Sequence, residues 1–537
     1  MSIHRTGPPG SADAPPVSET LALEHDVVIE SAVRRRMILV AMCVALVAIM
    51  ASVSGLNVAQ QAFAEDLGST QSQLLWIING YTVALAALLL PVGAIGDRWG
   101  RKPILMVGLV AFAVTNLASA FATEPGTLIA LRVLAGVAAA MVMPVTLSVI
   151  TTSFPREEQA KAIGIWAGFA GAGGIIGLFV SAAIIDNATW PWVFALPIAL
   201  AAVSFTLAAA SVPHSVEHSE AGFDITGSLL SVVAVGGLVL AIHEGPEQGW
   251  TAPITVVALF AGLAAAIAFV AVELRSDHPL LDVRVFALRG LAAGSVNLFV
   301  VFAVMISLFL VFVQYLQAIL GYSALRAASG LLPMAIMIMP LSTVAPAIAE
   351  RFGFRRTLVT GMLAIATGLV VFAVLADAEG GYLTVLPGTL ILGAGVGLAM
   401  SPSTAAITSS LPEEKQGVAS SLNDTVREMG GAVGIALIGS VLNASYRTNV
   451  EPATAGLPPE AVEPITEGIG GALAVAAQMG PDGAAVTDAA QQAFVDAMTP
   501  ALVLAAGVCA AAALFTVLRG PSTAAEAEPR LHAEDDT

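Results

Sequence analysis

The chain has 537 residues, of which 57% are hydrophobic and only 11% charged, against about 25% charged in an ordinary soluble domain. With a mean hydropathy of +0.85, this composition excludes a water-soluble globular protein and leaves a membrane protein. The net charge of −17 offers nothing to a nucleic acid. Its acids crowd into 451–500 and into a solvated C-terminal end with Glu526, Glu528, Glu534, Asp535 and Asp536.

In chain order, residues 1–36 come first, polar through residue 33 and marked by Pro8-Pro9 and Pro15-Pro16. They lack the apolar centre of a signal peptide, and a disordered cytoplasmic tail is expected. Apolar runs then fall at 37–59, 74–95, 103–123, 126–151, 160–184, 190–212, 224–243, 251–273, 291–314, 328–349, 357–376, 383–408, 417–445 and 498–518. About 20 residues suffice for one helical crossing, so fourteen transmembrane helices are expected. Cys43 and Cys509 both fall inside such runs, which rules out a disulfide framework.

Between the second and third runs lies Gly93-Ala-Ile-Gly-Asp-Arg-Trp-Gly-Arg-Lys-Pro-Ile-Leu105. Gly93, Gly96 and Gly100 let two helix ends approach closely. Asp97, Arg98, Arg101 and Lys102 place a dense charge cluster at the membrane surface. Arg132 lies about 9 Å inside the fourth run at ~1.5 Å per residue. A charge there costs at least ~2.5–3.5 kcal/mol, which makes it a functional candidate. The fifth run carries Gly168, Gly171, Gly173, Gly174 and Gly177, a small-residue pattern suited to tight helix packing.

Residues 37–212 form a six-helix N-terminal half. Residues 213–289 hold a polar linker, an inserted helix pair and the following cytoplasmic loop, and 290–518 form a six-helix C-terminal half; 519–537 is a second cytoplasmic tail. Asn57, Trp76, Asn79, Tyr81, Phe309, Gln314, Tyr315 and Gln317 could line a cavity of aromatics and amides, although aromatics near helix ends commonly anchor at the interface. In the thirteenth run Asp424 and Glu428 are i,i+4 and share a face with Arg427 beside it. Counted from Gly417 they lie roughly 10–17 Å into the helix. Arg427 can neutralise one carboxylate and leave the other free to take a proton. The Ala-, Gly- and Pro-rich segment 446–497 is expected outside, with 484–497 a possible amphipathic helix.

Eighteen of the 22 Lys and Arg residues fall in loops on one side of this layout, which places both termini in the cytoplasm. The halves also repeat. Ala349-Glu-Arg-Phe-Gly-Phe-Arg-Arg-Thr-Leu358 aligns with Gly96–Leu105 without a gap, putting Glu350 on Asp97, Arg351 on Arg98, Gly353 on Gly100 and Arg355 on Lys102. Ala135-Gly136 through Thr151–Pro155 answers Leu392-Gly393 through Thr408–Pro412. Two weakly similar halves in parallel are a known transporter architecture.

The 93–105 turn resembles the loop between helices 2 and 3 of the major facilitator superfamily. The 6+2+6 layout is similar to the fourteen-helix drug:proton antiporters of that superfamily. The resemblance implies two pseudo-symmetric halves and a bacterial cytoplasmic-membrane monomer that exports small hydrophobic compounds in exchange for protons. It implies a conformational latch at Gly93, Asp97, Arg98, Gly100, Arg101 and Lys102, with Glu350 and Arg351 in the second copy. It also implies proton coupling through Arg132, Asp424, Arg427 and Glu428. Two acids usual in the family are missing: Ser52 stands in helix 1 and Asn79 in helix 2. Gly174 and Leu178 replace prolines of the family's helix 5 motif. Export of an endogenous metabolite, lipid or siderophore remains an alternative, as does a receptor or scaffold without transport. No G-x-x-x-x-G-K-[S/T] loop occurs, no cofactor is implied, and the histidines form no metal spacing. An enzyme is not expected.

Overall fold

The computed structural model describes Ile29 and residues 31–213, 223–378 and 380–521. The expected tails up to residue 28 and from residue 522, and the linker 214–222, lie outside the described residues. Those residues contain sixteen α-helices: α1 (Ala32–Leu67), α2 (Gln71–Trp99), α3 (Arg101–Ser119), α4 (Pro125–Ser153), α5 (Arg156–Ile185), α6 (Ala195–Ser211), α7 (Ile225–Gln248), α8 (Pro253–Glu273), α9 (Arg289–Gln314), α10 (Ala324–Phe352), α11 (Phe354–Leu375), α12 (Tyr382–Thr408), α13 (Gln416–Val450), α14 (Pro459–Glu467), α15 (Ile469–Gln478) and α16 (Ala484–Arg519). Fourteen elements, ending with α16, are long and apolar enough to cross a membrane.

The two halves are assembled by the same contacts. α1 packs on α5 and α6, as α9 packs on α13 and α16; α2 meets α4 as α10 meets α12; α3 meets α4 and α6 as α11 meets α12 and α16. The residues that permit this recur at aligned positions. A Cβ on Gly136 would collide with the Tyr81 carbonyl, and one on Gly393 would lie 2.8 Å from that of Met334. Gly100 alone joins α2 to α3 at φ 99°, and Gly353 alone joins α10 to α11 at φ 97°, a backbone region that glycine enters without steric cost. Lys102 Nζ donates to the carbonyls of Ala209 (3.0 Å) and Val212 (2.8 Å) at the end of α6. Its aligned partner Arg355 donates to Gly520 O (2.8 Å) at the end of α16. Each cation offsets the orphan carbonyls at a helix C-terminus. Gln159 and Gln416 likewise tie down the loops before α5 and α13, donating to Thr151 O and Thr408 O at 2.6 and 3.0 Å.

The halves meet along two seams, α2 against α13 and α5 against α10. The inserted helices α7 and α8 pack on each other, and α7 lies against both α2 and α13. In the segment expected outside, α13 runs on to Val450 before α14 and α15 follow. Residues 484–497 are not a separate amphipathic helix but the start of α16. Tyr446 Oη donates to Ile465 O (3.2 Å) and Gln491 Nε2 to Ala318 O (2.8 Å), so this cap is fastened to the C-terminal half.

Replacing Gly136 or Gly393 with Val drives a branched side chain into a neighbouring helix backbone. Each variant is expected to lose about 2 kcal/mol or more, read as a melting temperature several degrees lower in detergent. An unchanged melting temperature would contradict the close approach.

Candidate functional site

At the charged end of the α2–α13 seam, the turn Glu413–Lys415 is 3-10 rather than α-helical. The first amides of α13 are therefore free of the helix ladder, and Asp97 takes them: its carboxylate accepts from Gly417 N (2.8 Å) and Val418 N (3.1 Å). An anion at a helix N-terminus is favoured by the exposed N–H groups and the dipole. Arg101 bridges Asp97 (3.2 Å) and the Glu413 carbonyl (3.1 Å). Gly93 makes room, since a Cβ there would sit 2.5 Å from Gly417 O. Arg98 is half-buried beside them.

The second copy of the motif does not form this arrangement. Glu350 and Arg351 are exposed, and Arg351 lies 5.4 Å from the Phe352 ring. Glu350 borders an 820 Å³ cavity shared with Arg156, Gln159 and Gln416. The reason is local: α5 begins at Arg156, with Gln159 N donating to Pro155 O (3.1 Å), so Ala160 and Lys161, which align with Gly417 and Val418, lie within the helix rather than at its N-terminus. Lys102 also leaves the latch expected from the sequence, because its ammonium caps α6.

Within the N-terminal half, Arg132 is buried at 1% exposure. It donates to Ser52 Oγ (2.9 Å), Ser52 O (3.2 Å) and Ile77 O (3.3 Å), and lies 4.3 Å from the Tyr81 ring centroid. Ser52 donates onward to Asn116 Oδ1 (3.0 Å), so α1, α2, α3 and α4 are tied through one guanidinium. Among the described residues Arg132 has no carboxylate partner. Tyr81, expected to line a cavity, is instead buried under Arg132. Tyr315 is also removed from the cavity set: it is buried, donates to Asp377 O (3.0 Å) and meets Phe372 edge-on. Asn57 is exposed, and Trp76, Asn79 and Gln314 are half-buried.

On α5, the glycines divide by face. Gly168 and Gly171 approach Met339 and Ile338 of α10, whereas Gly173 and Gly177 approach Met50 and Ala51 of α1. Gly174 is not a packing residue, having no atom within 4 Å of an added Cβ.

α13 begins at Gln416, which puts Asp424 roughly 12 Å and Glu428 roughly 18 Å along it. Arg427 pairs with Asp424 at 2.9 Å, both side chains essentially without solvent exposure. Asn423 Nδ2 also donates to Asp424 Oδ1 (3.2 Å), while Asp424 Oδ2 has no hydrogen-bond partner among the described residues. Glu428 is half-buried and makes no hydrogen bond or ion pair with a described residue. Sequence reasoning missed the groups around Arg427: Phe302 of α9 at 4.5 Å and Trp166 of α5 at 5.4 Å. An aromatic among the small residues of the fifth run was the only signal for Trp166.

Residues 40–435 match the profile of the Major Facilitator Superfamily. The chain is 33% identical to the multidrug efflux pump LfrA of Mycolicibacterium smegmatis, over 84% of this chain and 89% of that one. It is 31% identical to the tetracenomycin C resistance and export protein of Streptomyces glaucescens, over 88% and 89%. The structure of the human organic anion transporter MFSD10 superposes with a TM-score of 0.59 at 11% identity, covering 91% of this chain and all of that one; at that identity the likeness speaks for the fold.

Spin labels on the charged ends of α2 and α13 should move apart in Asp97→Ala and keep their separation in Glu350→Ala. Equal responses from the two variants would contradict the one-sided latch.

Proposed function

The chain belongs to the major facilitator superfamily, a family of transporters rather than enzymes, and from that premise we propose that it exports small hydrophobic compounds, drugs among them, in exchange for protons by alternating access. The observation that carries this reading is the contrast on α13 between Asp424, buried against Arg427, and the half-buried, unpaired Glu428 one turn further. A carboxylate without a cationic partner and with partial exposure is the group best placed to gain and lose a proton. Efflux by relatives such as LfrA supports the direction of transport.

In this reading the charged loops, and both termini, face the cytoplasm, and the monomer is the working unit. With Asp97 closed over the amides of α13, the α2–α13 seam is shut on the cytoplasmic side. A proton entering from outside neutralises Glu428, the halves rock, and the latch opens. Cargo entering from the cytoplasm then displaces the proton inward. A proton crossing ~150 mV releases roughly 3.5 kcal/mol, enough for an approximately 300-fold gradient of a neutral solute exchanged one for one. Ser52 is committed to Arg132 and Asn79 carries no charge, so the cavity is less attractive to organic cations than one with acids at both positions. Neutral or zwitterionic cargo follows.

In everted vesicles with an imposed proton gradient, Glu428→Gln should lower gradient-driven uptake at least tenfold while expression is retained. If Asp424→Asn and Glu428→Gln together leave gradient-driven uptake intact, the exchange reading fails.

A further inference from the structure

We propose that Trp166 is a positioning residue for the Asp424–Arg427 pair: its ring, held by the N-terminal half, shares the Arg427 charge when Asp424 takes a proton, and so carries the state of α13 across the seam. This deepens the proton-exchange reading and rests on it, with Asp424 as a second protonation site beside Glu428.

Arg427 has one charged partner, the Asp424 carboxylate at 2.9 Å, and its Nε has no hydrogen-bond partner. Glu428 acts on it through space, and two aromatic rings lie over it. Phe302 lies 4.5 Å from the guanidinium carbon and Trp166 5.4 Å, both inside the ~6 Å reach of a cation–π interaction. The two rings differ in ownership. Phe302 is on α9, which packs against α13 within the same half; Trp166 is on α5 of the other half. The indole is also held in orientation. It is fully buried, Nε1–H donates to Thr146 Oγ1 on α4 (3.0 Å), and that hydroxyl donates to Met143 O (2.7 Å).

Protonating Asp424 removes the anion paired with Arg427 and leaves its charge to the neighbouring Glu428 and to the groups packed around the guanidinium. The ring faces are among these groups, and their attraction is strongest when desolvated. While Asp424 is ionised, the ion pair satisfies the guanidinium and the rings matter less. Charge therefore moves from an intrahelical pair onto a contact that spans the halves. The other titratable groups on elements packed against α13 are accounted for. α13 itself carries Glu428, Tyr446 and Arg447, α2 Tyr81 and, at its end, Asp97 and Arg98. α4 carries Arg132, α16 Asp488, Asp496, Arg519 and the buried thiol of Cys509, α14 Glu460, Glu463 and Glu467, and the turn before α13 Glu413, Glu414 and Lys415. α7 carries His243 and Glu244 toward its far end, while α9 has only Arg289 at its start and α12 only Tyr382.

The test uses the purified full-length chain. The Trp166 fluorescence component, taken as the difference between wild type and Trp166→Phe, should change with pH in the wild type and in the Glu428→Gln background. It should be invariant in Asp424→Asn. In proteoliposomes, Trp166→Leu should move the pH midpoint of proton-driven transport downward by about one unit, because the protonated state of Asp424 has lost its support. Trp166→Phe, which keeps a ring face, should stay near the wild-type midpoint. Should Trp166→Leu fail to assemble, Thr146→Val retains the ring but frees its orientation and is expected to shift the midpoint in the same direction. A fluorescence component that titrates in Asp424→Asn as in wild type, or a rate that falls equally at every pH without a midpoint shift, overturns the assignment. Absence of proton-driven transport in the wild type sinks the exchange reading instead, and the fluorescence titration still decides the role of Trp166.

Discussion

A charge inside a membrane protein, out of reach of water, must find its compensation in neighbouring side chains and backbone. This structure meets that demand in three different ways. Asp97 is answered by backbone amides, Asp424 by a guanidinium one turn away, and Arg132 by a serine, two carbonyls and an aromatic face. The first and second lie where the halves meet, and the third ties four helices of one half into a unit. Rigid halves and a charge-lined seam are the two conditions that rocking requires.

Duplication supplies the rigid part almost without change. Gly100 and Gly353 take the same backbone conformation, Gly136 and Gly393 admit the same kind of helix contact, and Lys102 and Arg355 close the last helix of their halves. The charged positions have diverged instead. Asp97 has the N-terminal amides of α13 to bind because a 3-10 turn precedes that helix, whereas α5 starts three aligned residues earlier and Glu350 stays exposed. Among the described residues, α13 carries two further acids along its length, Asp424 and Glu428. The two halves therefore share an architecture and divide the chemistry unequally.

Much of this was visible in the residues alone. Fourteen crossings and the repeat follow from apolar length and the aligned charged turns, because those features are local. Partner choice was not legible. Spacing left open which carboxylate Arg427 would neutralise, and only the folded geometry shows the pair with Asp424. Tyr81 and Tyr315 looked like cavity walls because a hydroxyl on an aromatic suits both a cavity and a buried contact, and rotation of the helix decides between them. Glu350 looked like Asp97 because motif alignment sees the acceptor of a contact and not the state of its donors. Trp166 and Ser52 meet their partners across α13 and α4 from distant parts of the chain, a relation no local pattern encodes.

The inserted pair has a geometric consequence for where the molecule can part. α7 is laid along both α2 and α13, so a fissure opening between those two helices would still be roofed by protein. No additional helix among the described residues is laid across α5 and α10. Of the two seams only α2–α13 carries an extra helix, so the fourteen-helix plan makes the molecule sided within the plane of the bilayer.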